Sequence, residues 1–75
     1  VPKLPVVSAR EIIAALLSAG FEIDREGSHT ILVHPERQQL VAVPRHGGRD
    51  VPPGTLRRIL AQAGMTVEEF QRLLK

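Results

Sequence analysis

Cysteine, tryptophan and tyrosine are all missing from this chain, and each absence closes off a class of function. Without thiols there is no disulfide framework, no Cys-based zinc site and no redox switch, which fits a reducing cytoplasm as the expected location. Phe21 and Phe70 are the only aromatics, and both fall in apolar patterns. A sheet that stacks the bases of single-stranded RNA on aromatic rings is therefore not expected. Long apolar runs are missing too: no segment is long enough to span a bilayer, and Val1-Pro2-Lys3-Leu4-Pro5 lacks the apolar core of a signal peptide. A large net charge is also absent, since ten Lys and Arg against eight Asp and Glu leave +2.

What charge there is lies unevenly. Residues 37 to 58 hold Arg37, Arg45, Arg49, Arg57 and Arg58 against Asp50 alone, a local +4, while residues 1 to 36 come to −2 with three basic and five acidic side chains. Eight of the ten basic residues are arginine, whose planar fork grips phosphate through two bonds. The bland alternative is a solvated arginine-rich surface. Seventy-five residues make one small domain, residues 1–75, with a single core that gains from being covered by a partner or a second copy. A homo-oligomer or a hetero-oligomer is the expected assembly.

In chain order, Ser8-Ala9-Arg10-Glu11 reads as a capping box, and Ala9, Ile12, Ile13, Leu16 and Leu17 recur at helical spacing, so a helix is expected over about 9–19 with Gly20 as its C-cap. From Phe21 the period changes to two, with Phe21 and Ile23 on the side expected to be buried. Arg25-Glu26-Gly27-Ser28 is expected to turn the chain into a second strand from His29, and Pro35-Glu36-Arg37-Gln38-Gln39 into a third, Leu40-Val41-Ala42-Val43, stopped by Pro44. Three strands with short connections imply an antiparallel meander. After Pro52-Pro53, Leu56, Ile59, Leu60 and Ala63 mark a helix closed by Gly64, and Thr66-Val67-Glu68-Glu69 is a second capping box opening a short helix, with Met65 and Phe70 as its staple. The layout is α+β, with helix, three-stranded antiparallel sheet, helix and short C-terminal helix, an order shared with double-stranded-RNA-binding folds.

Chemistry concentrates in Gly27-Ser28-His29-Thr30. An imidazole can take or give a proton near neutral pH, Gly27 allows a sharp turn or a close ligand approach, and the Ser28 hydroxyl can orient the ring or meet a phosphate oxygen. On local sequence alone, a Gly-Ser turn followed by a chance histidine is the plainer reading. Arg45-His46-Gly47-Gly48-Arg49-Asp50 is the anion-facing candidate, close to the start of the second helix, whose free N–H groups suit a phosphate. A metal site on His29, His34 and His46 is not expected, because positions 29 and 34 would point to opposite faces of a regular strand. His34 reads as a strand-end residue and His46 as either surface or phosphate contact.

Gly20-Phe21 at the end of the first helix, Gly27-Ser28-His29, Val43-Pro44-Arg45-His46, and Pro53-Gly54-Thr55-Leu56-Arg57-Arg58-Ile59-Leu60 leading into Ala63-Gly64 follow one another in an order and spacing that is specific in so short a chain. In these pieces the chain resembles the HicA-type toxins, or YcfA-like proteins, small mRNA interferases of bacterial toxin–antitoxin pairs. The resemblance covers nearly the whole chain. It implies a cytoplasmic, metal-independent and cofactor-free endoribonuclease that cleaves mRNA during growth arrest and is neutralised by a HicB-type antitoxin. It places the family's histidine on His29 as the catalytic residue, and with it Ser28, Gly27, Arg45, His46, Arg49 and Arg57 stand as substrate-binding candidates. One departure is visible: many members carry a second histidine where this chain has Thr30. Cleavage by 2′-hydroxyl attack needs a base and an acid, and His46, Ser28 or a second copy's His29 are the candidates for the half that one histidine leaves open.

Two other classes fit parts of the chain. Residues 56–70 look like the first two helices of a helix-turn-helix protein, but such a protein needs a further helix for the major groove. A non-catalytic double-stranded-RNA-binding module would need only the fold, yet +2 is modest for a surface that spans two minor grooves.

Overall fold

Ser8 starts the first helix. In the computed structural model, which describes residues 3–45 and 49–74, the Glu11 N–H donates to Ser8 Oγ at 3.3 Å and the Ser8 N–H to Glu11 Oε1 at 2.9 Å, the reciprocal pair that a capping box requires. Helix α1 runs over Ala9–Ser18 with Ile12, Ala15 and Leu16 buried. It ends in a turn at Gly20, with φ +100°, where the Gly20 N–H reaches Leu17 O and the Phe21 N–H reaches Leu16 O. This tight exit sends the chain back along the helix as β1 (Glu22–Glu26), followed by β2 (His29–Val33) and β3 (Leu40–Pro44). The strands form one antiparallel sheet in the order β1-β2-β3.

Alternation in β2 and β3 shows which face is covered. Thr30, Leu32, His34, Val41 and Val43 are buried on one face, whereas His29, Ile31, Val33, Leu40, Ala42 and Pro44 stand on the other with His29 and Leu40 exposed. Helices α2 (Pro53–Ala63) and α3 (Val67–Leu73) join α1 over the buried face, contributing Leu56, Ile59, Leu60, Ala63 and Phe70 to a core with Ile12, Leu16, Leu32, Val41 and Val43. Pro53 opens α2 and Gly64, with φ +66°, closes it. Thr66 and Glu69 complete the second capping box, the Thr66 N–H donating to Glu69 Oε1 at 2.8 Å. That bond first, and the bond with the Thr66 side chain second, hold the Glu69 carboxyl below its ordinary value.

Three local expectations are corrected. Arg25 and Glu26 belong to β1 rather than to the turn, which is confined to Gly27 and Ser28. Ile23 is 41% exposed even though it pairs with the buried Leu32, and every residue of β1 is exposed. The reason is position: β1 is an edge strand, and a bulge between Ile23 and Arg25 twists it away from the layer that covers its neighbours. The first helix is also one residue shorter than expected, with Ala19 as its cap.

The opposite edge is closed differently. The backbone N–H of Ala42, in β3, donates to Gln62 Oε1 of α2 at 3.3 Å, so a helix side chain occupies part of the free edge. Between β3 and α2 the chain crosses to the segment ahead of α1, where the Val51 N–H donates to Val7 O at 2.8 Å and Ser8 bridges Asp50. The start of α1, the β1–β2 turn, the end of β3 and the start of α2 therefore gather at one end of the domain.

Candidate functional site

That end carries the motif singled out by the sequence. His29 is the first residue of β2 and pairs with Pro44 of β3, so the ring projects from the uncovered face at the tip of the sheet. Its Nδ1 lies 3.3 Å from Ser28 Oγ. A hydroxyl both donates and accepts, so it can hold the ring with either nitrogen protonated. In each case Nδ1 is the occupied atom, and Nε2, with no bonded partner among the described residues, is the one available to a substrate.

The backbone around this pair is fixed from both sides. The Gly27 N–H donates to His29 O at 3.1 Å and the Arg45 N–H to Ser28 O at 3.2 Å, tying the turn to the residue just past β3. Gly27 itself is outside the left-handed region, and a Cβ built on it would meet nothing within 4 Å. Of the two uses expected for this glycine, the backbone conformation does not require it, and the open approach to the main chain remains.

Gly27, Ser28, His29 and Arg45 are thus brought together by direct contacts. Arg49 lies exposed in the β3–α2 segment and Arg57 exposed on α2, at the same end of the domain without a bond to the histidine. His46 lies outside the described residues. Among the described residues Arg49, Arg57 and Arg58 have no carboxylate within salt-bridge distance, so their charge is free for an anion. Arg45 differs: its guanidinium sits 2.7 Å from Glu26 Oε1, with both side chains about half exposed. Sequence reading missed Glu26 as a member of this cluster, because it assigned that residue to the turn. Extending the hairpin by the pairing of Glu26 with Thr30 and of His29 with Pro44 is what brings it beside Arg45.

The neighbouring position behaves as a core site. Thr30 is 1% exposed and points to the helix-covered face, so a side chain there cannot act beside His29. His34 is likewise buried. Its Nδ1 accepts from the Glu36 and Arg37 N–H groups at 3.2 and 3.3 Å, and its ring meets Phe21 edge to face at a centroid distance of 5.1 Å. It shapes the β2–β3 turn and lies at the far end of the strand from His29. Among the described residues no three His, Cys, Asp or Glu side chains cluster as a metal site would need. A cleft of about 270 Å³ walled by Ala19, Met65 and Leu73 lies where the helices end, remote from this chemistry.

No helix is long and apolar enough to cross a membrane. No curated protein matches the chain closely enough to count as a relative. A family model does match: residues 9–65, from the first turn of α1 to the residue after the α2 cap, fit the HicA toxin of bacterial toxin–antitoxin systems. With that match over most of its length, a fold of the expected layout and the Gly-Ser-His turn at the arginine-bearing end, the chain belongs to the HicA toxin family.

Proposed function

We propose that this toxin is an endoribonuclease acting on mRNA in the bacterial cytoplasm, with His29 as a general acid or base, and that a HicB-type antitoxin neutralises it. The observation that carries the reading is the Ser28–His29 contact on an exposed sheet tip, which leaves Nε2 open while the hydroxyl steadies the ring through either neutral form. RNA supplies its own nucleophile. Removing the 2′-hydroxyl proton lets that oxygen attack phosphorus, the 5′-oxygen leaves with a proton from an acid, and a cyclic phosphate remains. His29 takes one of the two proton transfers through Nε2. Arg45, Arg49 and Arg57 neutralise the phosphates on either side, and the unobstructed main chain at Gly27 admits the strand close to the ring.

The direct test is the His29→Ala variant. The ring is exposed, so melting temperature should change little, within the equivalent of about 0.5 kcal/mol. RNA cleavage and growth inhibition should both be lost. Cleavage is expected to persist in chelator, and activity that vanishes in chelator and returns with a divalent ion would overturn the metal-independent mechanism. A folded His29→Ala protein with full activity would remove His29 from the reaction.

A further inference from the structure

Helix α2 carries no acidic residue, yet it bears two adjacent arginines, Arg57 and Arg58. An arginine on a surface helix is commonly matched by a carboxylate three or four residues away. For Arg58 those places hold Gly54, Thr55, Ala61 and Gln62. Arg58 is exposed, and no carboxylate among the described residues lies within salt-bridge distance of it. We propose that Arg58 binds a phosphate of the RNA a few nucleotides from the cut, and that the strand reaches it from His29 by passing round the β3 edge at Pro44. The inference rests on the nuclease reading and deepens it, from the cut itself to the path of the substrate and the length of RNA that the enzyme requires.

Gln62 locates Arg58. Its amide reaches the β3 edge, where Oε1 accepts from the Ala42 N–H at 3.3 Å, so this flank of α2 faces that edge. Arg58 lies four residues before Gln62, on the same flank and about 6 Å nearer the start of the helix. Pro44 lies two residues after Ala42, about 7 Å further along β3. Both steps lead toward the tip, which sets Arg58 alongside Pro44. Pro44 in turn is the cross-strand partner of His29, and neighbouring strands are about 4.8 Å apart. His29 and Arg58 are therefore separated by a single strand, the imidazole on the uncovered face and the arginine on the helix side.

The edge between them suits RNA better than a protein strand. The Arg45 N–H points inward to Ser28 O, so the outward N–H positions near the tip are the alternate ones, 42 and 44. At Ala42 the N–H is taken by Gln62, and Pro44 has none to offer. An added β-strand would find no donor at either place. A nucleic-acid strand needs none, since its hold on a protein comes mainly from phosphates meeting cations. Neither β3 nor α2 contributes a carboxylate that would repel it.

The test uses the full-length toxin and a single-stranded RNA with one mapped cleavage site, shortened from each end in turn. For the wild type, kcat/KM should fall at least tenfold when the nucleotides on one side of the cut are removed, mostly through KM. Arg58→Ala should lower kcat/KM on the long RNA at least tenfold, again through KM, and leave the shortest substrate unaffected. Melting temperature should not move, because the side chain is exposed. Arg72→Ala removes the same charge from α3 and should cleave every length as the wild type does. Binding gives a readout independent of cleavage: on a His29→Ala background, replacing Arg58 should make the log–log salt slope for the long RNA shallower by about 0.7. Cleavage that ignores length, equal losses on long and short RNA, an unchanged salt slope, or the same loss in Arg72→Ala would each overturn the path. So would an Arg58→Ala toxin that cleaves normally but escapes the antitoxin, which would make Arg58 a protein contact. A toxin that cleaves no RNA of any length would defeat the nuclease reading, and the shallower slope would still assign a phosphate to Arg58.

Discussion

Thr30 carries a polar atom where the fold gives it nothing to do. Its side chain is 1% exposed and Oγ1 has no hydrogen-bond partner among the described residues. A hydroxyl taken out of water without a replacement bond costs about 1–3 kcal/mol. Valine has nearly the same shape, keeps the β-branch that suits a central strand, and puts a methyl group where the hydroxyl is. Thr30→Val should therefore stabilise the protein by about 1–2 kcal/mol. For 75 residues the whole stability is roughly 4–11 kcal/mol, so the gain is a large fraction of it. At about 4–8 °C per kcal/mol for a domain of this size, the melting temperature should rise by roughly 5–15 °C.

Thermal unfolding followed by circular dichroism reads the shift, and urea unfolding separates it from a change in compactness, because the midpoint should move at constant slope. The same variant should cleave RNA at an unchanged rate, since position 30 faces the helices and His29 faces away. A fall in melting temperature would refute the reasoning: the hydroxyl would then have to be bonded, with a buried water as the obvious partner. A gain in stability accompanied by loss of cleavage would refute the other half, that the two faces of the sheet are functionally separate.

Glu26→Gln should change stability by less than about 1 kcal/mol because the pair is half exposed, but it frees Arg45; on a His29→Ala background RNA should bind more tightly, with a log–log salt slope steeper by about 0.7. An unchanged slope would show that Arg45 does not reach a phosphate. Glu69 is held below its ordinary 4.5, so the capping box contributes stability that is present above that value and is lost as pH falls through the lower folded one. Glu69→Gln should flatten the acid limb of a plot of melting temperature against pH, and parallel curves would contradict the assignment. Gly27→Ala should keep stability within about 0.5 kcal/mol or raise it slightly, while cleavage falls at least several-fold if the strand approaches the main chain there; full cleavage would show the openness is unused.

The elements were legible because their signals are local. Ser8 with Glu11 and Thr66 with Glu69 fix two helix starts by short-range bonds, and the exits at Gly20 and Gly64 follow from backbone sterics that any glycine at a helix end advertises. Alternation in β2 and β3 survives because both strands have the helix layer on one side only. It fails in β1, where Ile23 has the right period and the right cross-strand partner but stays 41% exposed beside the bulge. Sequence period reports which residues share a face; whether a face is covered at the edge of a sheet depends on where distant helices end, and no window of sequence holds that. Glu26 was missed for a related reason, since its ion pair spans 19 residues and depends on the hairpin register.

Glycine shows the same division inside the site. Gly20, Gly27 and Gly64 look alike in sequence, each at the end of a periodic run. At Gly20 and Gly64 positive φ requires the residue, and at Gly64 a methyl group would also meet the Gln39 amide. At Gly27 neither demand exists: the conformation is open to other residues and the space beside it is empty. A residue that the fold does not require, next to an imidazole held by the adjacent hydroxyl and to the Arg45–Glu26 pair, has its explanation, on the proposed reading, in what comes from outside. The family match identifies the chain as a toxin; on the proposed nuclease reading the open main chain at Gly27, between Glu26 and Ser28, is where the RNA backbone approaches His29, and full cleavage by the Gly27→Ala variant would refute that placement.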